Sequence, residues 1–264
     1  MTNRPIGIFD SGVGGLTVLA KVRELLPNEN VIYVGDTANV PYGGKDYETL
    51  LGYGRGIINF LRGHDVKAVV LACGTTSSTV YEELAREYPD IPLIDVIRPG
   101  VKACIELERN DGLRIGLIAT AATIKSGLFK RLLLAECPDI SLVERACPLF
   151  APMVEVGVIH GPIAEWVART YLENWYGKID ALVLGCTHYP LLTDAIFSVL
   201  EDVKLVNLAA YAAEELKFLL AAEGMLNGTS TPGTCKYYVS GETSAFDKSA
   251  SFLLGDIAGA MKMM

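Results

Sequence analysis

The chain has 264 residues, half of them apolar, with 26 glycines and 12 prolines. This length suits one large core or two modest ones, and a charged fraction of only 20% excludes a disordered chain. Acidic side chains (31) outnumber basic ones (23) for a net charge of −8, which argues against nucleic acid or an anionic membrane as partner.

The opening MTNRPIGIFD carries no hydrophobic segment of signal-peptide form and leads straight into an expected strand at 6–9. Further short apolar runs predict strands at 31–35, 68–72, 93–96, 115–119, 181–185 and 205–206. Rich in Val, Ile and Leu without polar alternation, they fit parallel strands covered on both faces. Helical patterns lie between them at about 15–26, 46–63, 76–87, 99–109, 124–135, 162–176, 190–200 and 209–222. Pro99 and Pro162 fall where a first helical turn tolerates proline. Runs such as 68–73 are far too short to span a bilayer, so a soluble, cytoplasmic protein is expected. The alternation predicts a doubly wound α/β architecture, with sites at the carboxyl ends of the strands.

A weak internal repeat refines this picture. Residues 5–11 (PIGIFDS) resemble 114–120 (RIGLIAT), and 69–75 (VVLACGT) resemble 182–187 (LVLGCT) at nearly the same offset. Short matches between buried strands also arise by chance. Read as a true repeat, they predict two pseudo-symmetric doubly wound α/β domains, their parallel sheets facing an interdomain cleft. The first domain would hold 1–95 plus 208–264, with Asp10 and Cys73. The second would hold 96–207, with Cys186 and His188, across a tight hinge near 95 and 208.

Six cysteines stand at 73, 104, 137, 147, 186 and 235, without zinc-site or C-x-x-C spacing, so reduced thiols are expected. Cys73 and Cys186 each end an apolar strand and precede small polar residues that read as a helix start. The positive end of a helix dipole would lower such a thiol's pKa. Either cysteine alone is most simply a core thiol; the pair, at equivalent positions of a repeat, favours chemistry. His188 can orient or protonate a group beside Cys186, whereas His64 and His160 read as ordinary residues. Glu155, in an apolar stretch, is either a partly buried carboxylate or a helix-face one.

Residues 10–15 (DSGVGG) open a helix, where amides can approach an anion, but match neither G-x-G-x-x-G nor a Gly-Lys-Ser/Thr motif. Asp10 there suits an ammonium group; a plain turn is the alternative. In the expected loop 36–44, amides at 42–44 can receive a carboxylate and Tyr42 can wall a pocket, or the loop is only a turn. Two thiols facing across a cleft can invert an acidic stereocentre, one removing a proton and the other delivering one, with no cofactor.

Several strings together resemble the glutamate racemase family: FDSGVGGLTV at 9–18, VPYG at 40–43, AC-x-T at 72–75, ATAATIKSG at 119–127, GCTHYPL at 185–191 and SGE at 240–242. The likeness covers nearly the whole chain, and the long Cys-Thr-His-Tyr-Pro string separates this family from the related aspartate racemases. It implies cofactor-independent interconversion of L- and D-glutamate, supplying D-glutamate for peptidoglycan in the bacterial cytoplasm, and a homodimer. By matching position, it implies that Cys73 and Cys186 are the proton acceptor and donor, with Asp10 and His188 at the catalytic centre. Asp10, Ser11, Tyr42, Gly43, Thr75, Thr187 and His188 would touch substrate. Pro41, Gly74, Thr120 and Glu155 complete the expected site.

Three positions depart from the family pattern: Gly74 replaces an asparagine, Arg98 a glutamate, and Asn207-Leu208 an Asp- or His-Ser pair. Gly74 removes a side-chain amide beside a catalytic thiol, and the amide's role is expected to be either partly recovered by a bridging water or taken over by Thr76 or Arg98. Restoring asparagine is then expected to speed glutamate turnover wherever φ at 74 is negative. The same departure admits two other readings, a racemase of another amino acid and a ligand-binding protein with reduced chemistry.

Overall fold

Among the residues that the computed structural model describes (2–107, 112–254 and 259–263), ten strands form two wholly parallel sheets. In chain order they are β1 (Ile6–Asp10), β2 (Val31–Gly35), β3 (Ala68–Leu71), β4 (Leu93–Asp95), β5 (Arg114–Ala119), β6 (Ser141–Ala146), β7 (Ala181–Leu184), β8 (Lys204–Asn207), β9 (Cys235–Val239) and β10 (Met261–Lys262). The first sheet runs β10-β9-β2-β1-β3-β4 and the second β6-β5-β7-β8. Within them β2-β1-β3-β4 and β6-β5-β7-β8 follow the same winding, so the sequence repeat is a repeat of topology.

That winding fixes where chemistry can sit. In each half the chain leaves its first strand to one side and returns on the other, which opens a crevice beyond the carboxyl ends of the first and third strands. Phe9 of β1 lies beside Leu71 of β3, and Ile118 of β5 lies beside Leu184 of β7. Two residues past these paired positions come Ser11 and Cys73 in one half, Thr120 and Cys186 in the other.

All residues of β1, β2 and β3 are buried, as expected of Val/Ile/Leu strands covered on both faces. One apolar layer joins the halves, with Ile8 and Leu117 from the two central strands packed among Leu19, Val101 and Leu216 of three helices. Separate clusters cover the remaining face of each sheet. No helix among the described residues is long and apolar enough to cross a membrane.

Several expected helices are broken for identifiable reasons. The helix expected at 76–87 is two, Gly74–Thr79 and Tyr81–Glu87. Ser78 and Thr79 hydroxyls both donate to the Thr75 carbonyl (3.1 and 2.7 Å), and such back-bonding bends a helix. The helix expected at 124–135 divides at Gly127, whose φ of +61° ends one turn before Leu128 begins the next. That at 190–200 becomes a 3-10 turn, Tyr189–Leu192, and a short helix, Thr193–Phe197. That at 162–176 ends at Leu172, followed by a 3-10 turn at Glu173–Trp175. The helix expected at 99–109 begins at Ile97, where the Asp95 carboxylate accepts from the Ile97 and Arg98 amides. It is described to Leu107, and 108–109 lie outside the described residues.

Five elements escape the reading from periodicity, the two-residue β10 (Met261–Lys262) among them. β6 is a half-exposed edge strand carrying Glu144 and Arg145, not an apolar run. β9 reads Cys-Lys-Tyr-Tyr-Val and joins β2, so the segment after 208 does return to the first sheet. The helices Phe150–Glu155 and Thr243–Leu254 complete the set, while the expected loop at 36–44 contains a 3-10 turn, Tyr42–Gly44.

Candidate active site

A cavity of about 260 Å³ opens where the carboxyl ends of the two sheets meet. Pockets for drug-sized ligands run to about 300–1,000 Å³, so this one suits a molecule of amino-acid size. Its wall contains Ser11, Pro41, Tyr42, Gly43, Cys73, Gly74, Thr75, Thr120, Glu155, Cys186, Thr187 and His188. Of the residues proposed from sequence, Asp10 alone lies outside the wall. It is fully buried one layer behind, accepting from the Gly12 amide (3.0 Å) and the Thr187 hydroxyl (3.4 Å). Burial raises its pKa, with His188 opposing the shift.

Cys73 precedes the helix Gly74–Thr79, and its thiol faces Ser11 Oγ at 3.7 Å. The expected lowering by the helix terminus is overturned. Burial, then the Asp10 charge, push this thiol up to about 11, against donors on Thr76 and Ser11. A helix of one and a half turns is too short a dipole to outweigh the loss of solvent.

Cys186 Sγ lies 3.6 Å from His188 Nδ1, and His188 Nε2 lies 2.7 Å from Glu155 Oε1. Burial alone would lower the His188 pKa, but its hydrogen bonds to Cys186 and Glu155 outweigh this and raise it well above 6.5. Glu155 is therefore the partner of an imidazolium. A folded pKa above the unfolded value stabilises the fold fully below about pH 6.5 and fades as pH rises through the folded value. Glu155→Gln exchanges a charged hydrogen bond for a neutral one, a loss of about 1 kcal/mol at pH 6. Thermal melts should show a drop of about 2–4 °C at pH 6 that shrinks at high pH. A drop that grows with pH would contradict this pairing.

Tyr42 walls the cavity with its ring and donates its hydroxyl to Asp36 Oδ2 (2.5 Å). Asp36 also accepts from Asn39 and Ser240, tying the loop to the segment after β9. Sequence reasoning missed this anchor, although a carboxylate at a strand end before a polar loop was its signal. Thr17 and Thr123 were missed as well. Thr17 donates to the carbonyls of Gly14 (2.9 Å) and Thr187 (3.1 Å), and Thr123 extends a hydroxyl chain through Thr120 to Thr75 (3.0 and 2.9 Å). The two halves are thus latched at both flanks of the cavity.

Backbone proximity explains two glycines. A Cβ on Gly14 would lie 2.5 Å from both His188 Nδ1 and Thr187 Oγ1. One on Gly74 would lie 2.5 Å from the Gly185 carbonyl oxygen, while φ at Gly74 is not in the left-handed region. Space, not backbone angle, therefore opposes the expected benefit of asparagine at 74. Nor has a substitute moved in. Thr76 is buried off the wall, and Arg98 pairs with Asp95 (2.8 Å) and Glu82 while lying over the Tyr81 ring. The Asn207-Leu208 departure is a helix cap, Asn207 Oδ1 accepting from the Ala209 amide (3.0 Å). Among the described residues no cluster of three or more His, Cys, Asp or Glu is arranged to hold a metal ion.

Comparison with known proteins agrees with this architecture. Residues 6–216 match the family model described as Asp/Glu/Hydantoin racemase. The glutamate racemase of Aquifex aeolicus is 42% identical over 251 residues, covering 95% of this chain and 94% of its own. The crystal structure of glutamate racemase from Thermus thermophilus, in complex with β-chloro-D-alanine, superposes with a TM-score of 0.89 at 41% identity, covering 99% of this chain and 97% of that one. That from Francisella tularensis, in complex with D-glutamate, gives 0.91 at 36% identity, covering 99% and 98%. With its repeated parallel sheets and these matches along nearly its full length, the chain belongs to the Asp/Glu/Hydantoin racemase family, among the glutamate racemases, which are isomerases.

Proposed function

We propose that this chain interconverts L- and D-glutamate by proton transfer between Cys73 and Cys186, without a cofactor. The observation that carries the proposal is that both cysteines, from equivalent strand ends of a repeated fold, wall one cavity of amino-acid size. A thiolate on one face takes the α-proton, and a thiol on the other face returns a proton to Cα. Each turnover therefore exchanges the protonation states of the two sulfurs, and the reverse reaction restores them. Burial that pushes the Cys73 thiol up to about 11 makes its thiolate, once formed, a strong base toward a weakly acidic C–H.

Among the described residues the wall holds no lysine or arginine, so a dicarboxylate is received by hydroxyls and amides. Thr75, Thr187 and the amides of Tyr42 and Gly43 serve its carboxylates; Ser11, with Asp10 behind it, serves the ammonium group. His188, held by Glu155, exchanges a proton with Cys186. The Francisella tularensis relative's complex with D-glutamate supports this substrate class. We further assign the product to peptidoglycan synthesis in the cytoplasm, the active species to a homodimer, and the domains to 1–95 plus 208–264 and 96–207. One observation favours a second reading, a racemase of another amino acid: Gly74 offers the substrate no side-chain donor.

Polarimetry over a panel of amino acids, each supplied as either enantiomer, tests the proposal. Optical rotation should decay to zero from both D- and L-glutamate, with and without EDTA. Inversion of another amino acid in preference to glutamate would transfer the assignment to the second reading. Loss of activity in EDTA, or with removal of a visible chromophore, would contradict the cofactor-independent route.

A further inference from the structure

The helix Gly74–Thr79 is a run of small polar residues, and nearly all its hydroxyls are engaged. Thr75 pairs with Thr120, Ser77 donates to the Leu71 carbonyl, and Ser78 and Thr79 donate to the Thr75 carbonyl. Thr76 differs. It is fully buried, and among the described residues its Oγ1 is a buried side-chain polar atom without a hydrogen-bond partner. Unpaired buried hydroxyls are destabilising and therefore rare in native structures, so this one calls for an acceptor that is sometimes present.

The neighbouring group that changes its accepting power is Cys73. The Thr76 amide and hydroxyl both face its sulfur, whose thiol hydrogen is directed at Ser11 Oγ. A neutral thiol is a weak acceptor, whereas a thiolate takes strong, charge-assisted hydrogen bonds. The titratable groups whose charge bears on this sulfur include Asp10 at the end of β1, Tyr33 of β2 and Tyr42 of the turn Tyr42–Gly44. None of the three brings positive charge, and across the cavity His188 is engaged by Cys186 and Glu155. An anion at Cys73 thus depends on uncharged donors.

We propose that Thr76 is a positioning residue whose hydroxyl donates to Cys73 Sγ when that sulfur is ionised and stands idle when it is protonated. The inference deepens the two-thiol reading above and rests on it. When Cys73 takes the α-proton, its thiolate becomes a thiol and the Thr76 bond is released. When the thiol returns its proton to Cα, the bond forms again. Thr76 keeps its own proton throughout.

The test compares Thr76→Val, which keeps shape and loses the donor, with Thr76→Ser, which keeps the donor, and Thr76→Ala as a smaller donor-free variant. Iodoacetamide alkylation of Cys73, followed on its own peptide by mass spectrometry, reads the thiolate population. Losing one charge-assisted hydrogen bond should raise the Cys73 pKa by about one unit, so alkylation at pH 9 should slow about tenfold in the Val and Ala variants. Thr76→Ser should alkylate as the wild type does. Because L and D are equally stable, kcat/KM for the two enantiomers must fall together, by about tenfold in Thr76→Val. Its melting temperature should hold or rise, since a methyl replaces an unpaired hydroxyl. Unchanged alkylation in folded Val or Ala variants would overturn the proposal, as would a Ser variant as slow as Val. Failure of the two-thiol reading is recognised separately, by full racemase activity in Cys73→Ala.

Discussion

Replacing Cys73 or Cys186 by alanine is expected to lower kcat/KM for both glutamate enantiomers by about 10²–10⁴-fold, the range of a single acid–base group. The two losses should not add. Inversion needs both faces of Cα served, so the double variant should be about as slow as the slower single one. Stability should change little at Cys186, which borders the cavity, provided His188 keeps its bond to Glu155. Stopped-progress polarimetry on each variant, with circular dichroism to show an intact fold, decides the matter. Full activity in either single variant would remove that sulfur from the mechanism.

The second large effect is expected at Gly74, and its sign opposes the family pattern. A Cβ there meets the Gly185 carbonyl oxygen at 2.5 Å, and neither partner is a side chain that can swing away. Relief requires the Cys73 and Cys186 loops to move apart, at a cost of about 1–3 kcal/mol. Misplacing two acids across a substrate is penalised just as heavily in rate. Gly74→Ala and Gly74→Asn are therefore both expected to lower kcat/KM by about 10- to 100-fold. The alanine variant isolates the clash, because it adds a methyl and no donor. An asparagine variant faster than the wild type would show that the cleft opens at little cost and that the missing amide mattered more than the contact.

Much of the fold was legible because its central strands are unusually uniform. β1, β3, β5 and β7 are short, largely apolar and buried runs, and Ser11, Cys73, Thr120 and Cys186 follow within two residues of their ends. The pairing of Cys73 with Cys186 was visible for the same reason, since one strand–cysteine–hydroxyl string occurs twice. β6 and β9 were not visible, because an edge strand with Glu144 and Arg145 and a tyrosine-rich strand lack that uniformity. The break at Val80 depends on which hydroxyls turn back onto Thr75, a choice that periodicity does not record.

In the site, sequence located the residues but not their depth. Asp10 and Ser11 are adjacent in the chain, yet Ser11 is on the wall and Asp10 lies behind it. The helix terminus at Cys73 argued for an acidic thiol, while burial, invisible in a local string, pushes it the other way. Gly74 looked like a missing amide because its obstacle, the Gly185 carbonyl, belongs to the other half of the repeat. Glu155 was an ambiguous carboxylate until His188 came within 2.7 Å.

The central claim, two sulfurs acting on opposite faces of one carbon, is tested most directly in heavy water. Starting from D-glutamate, early samples are separated by enantiomer and their deuterium content at Cα is measured by mass spectrometry. The account predicts deuterium in the L-glutamate formed and none in the D-glutamate recovered, with the mirror result from L-glutamate. Deuterium appearing equally in both enantiomers from the start, or inversion without any deuterium, would contradict it.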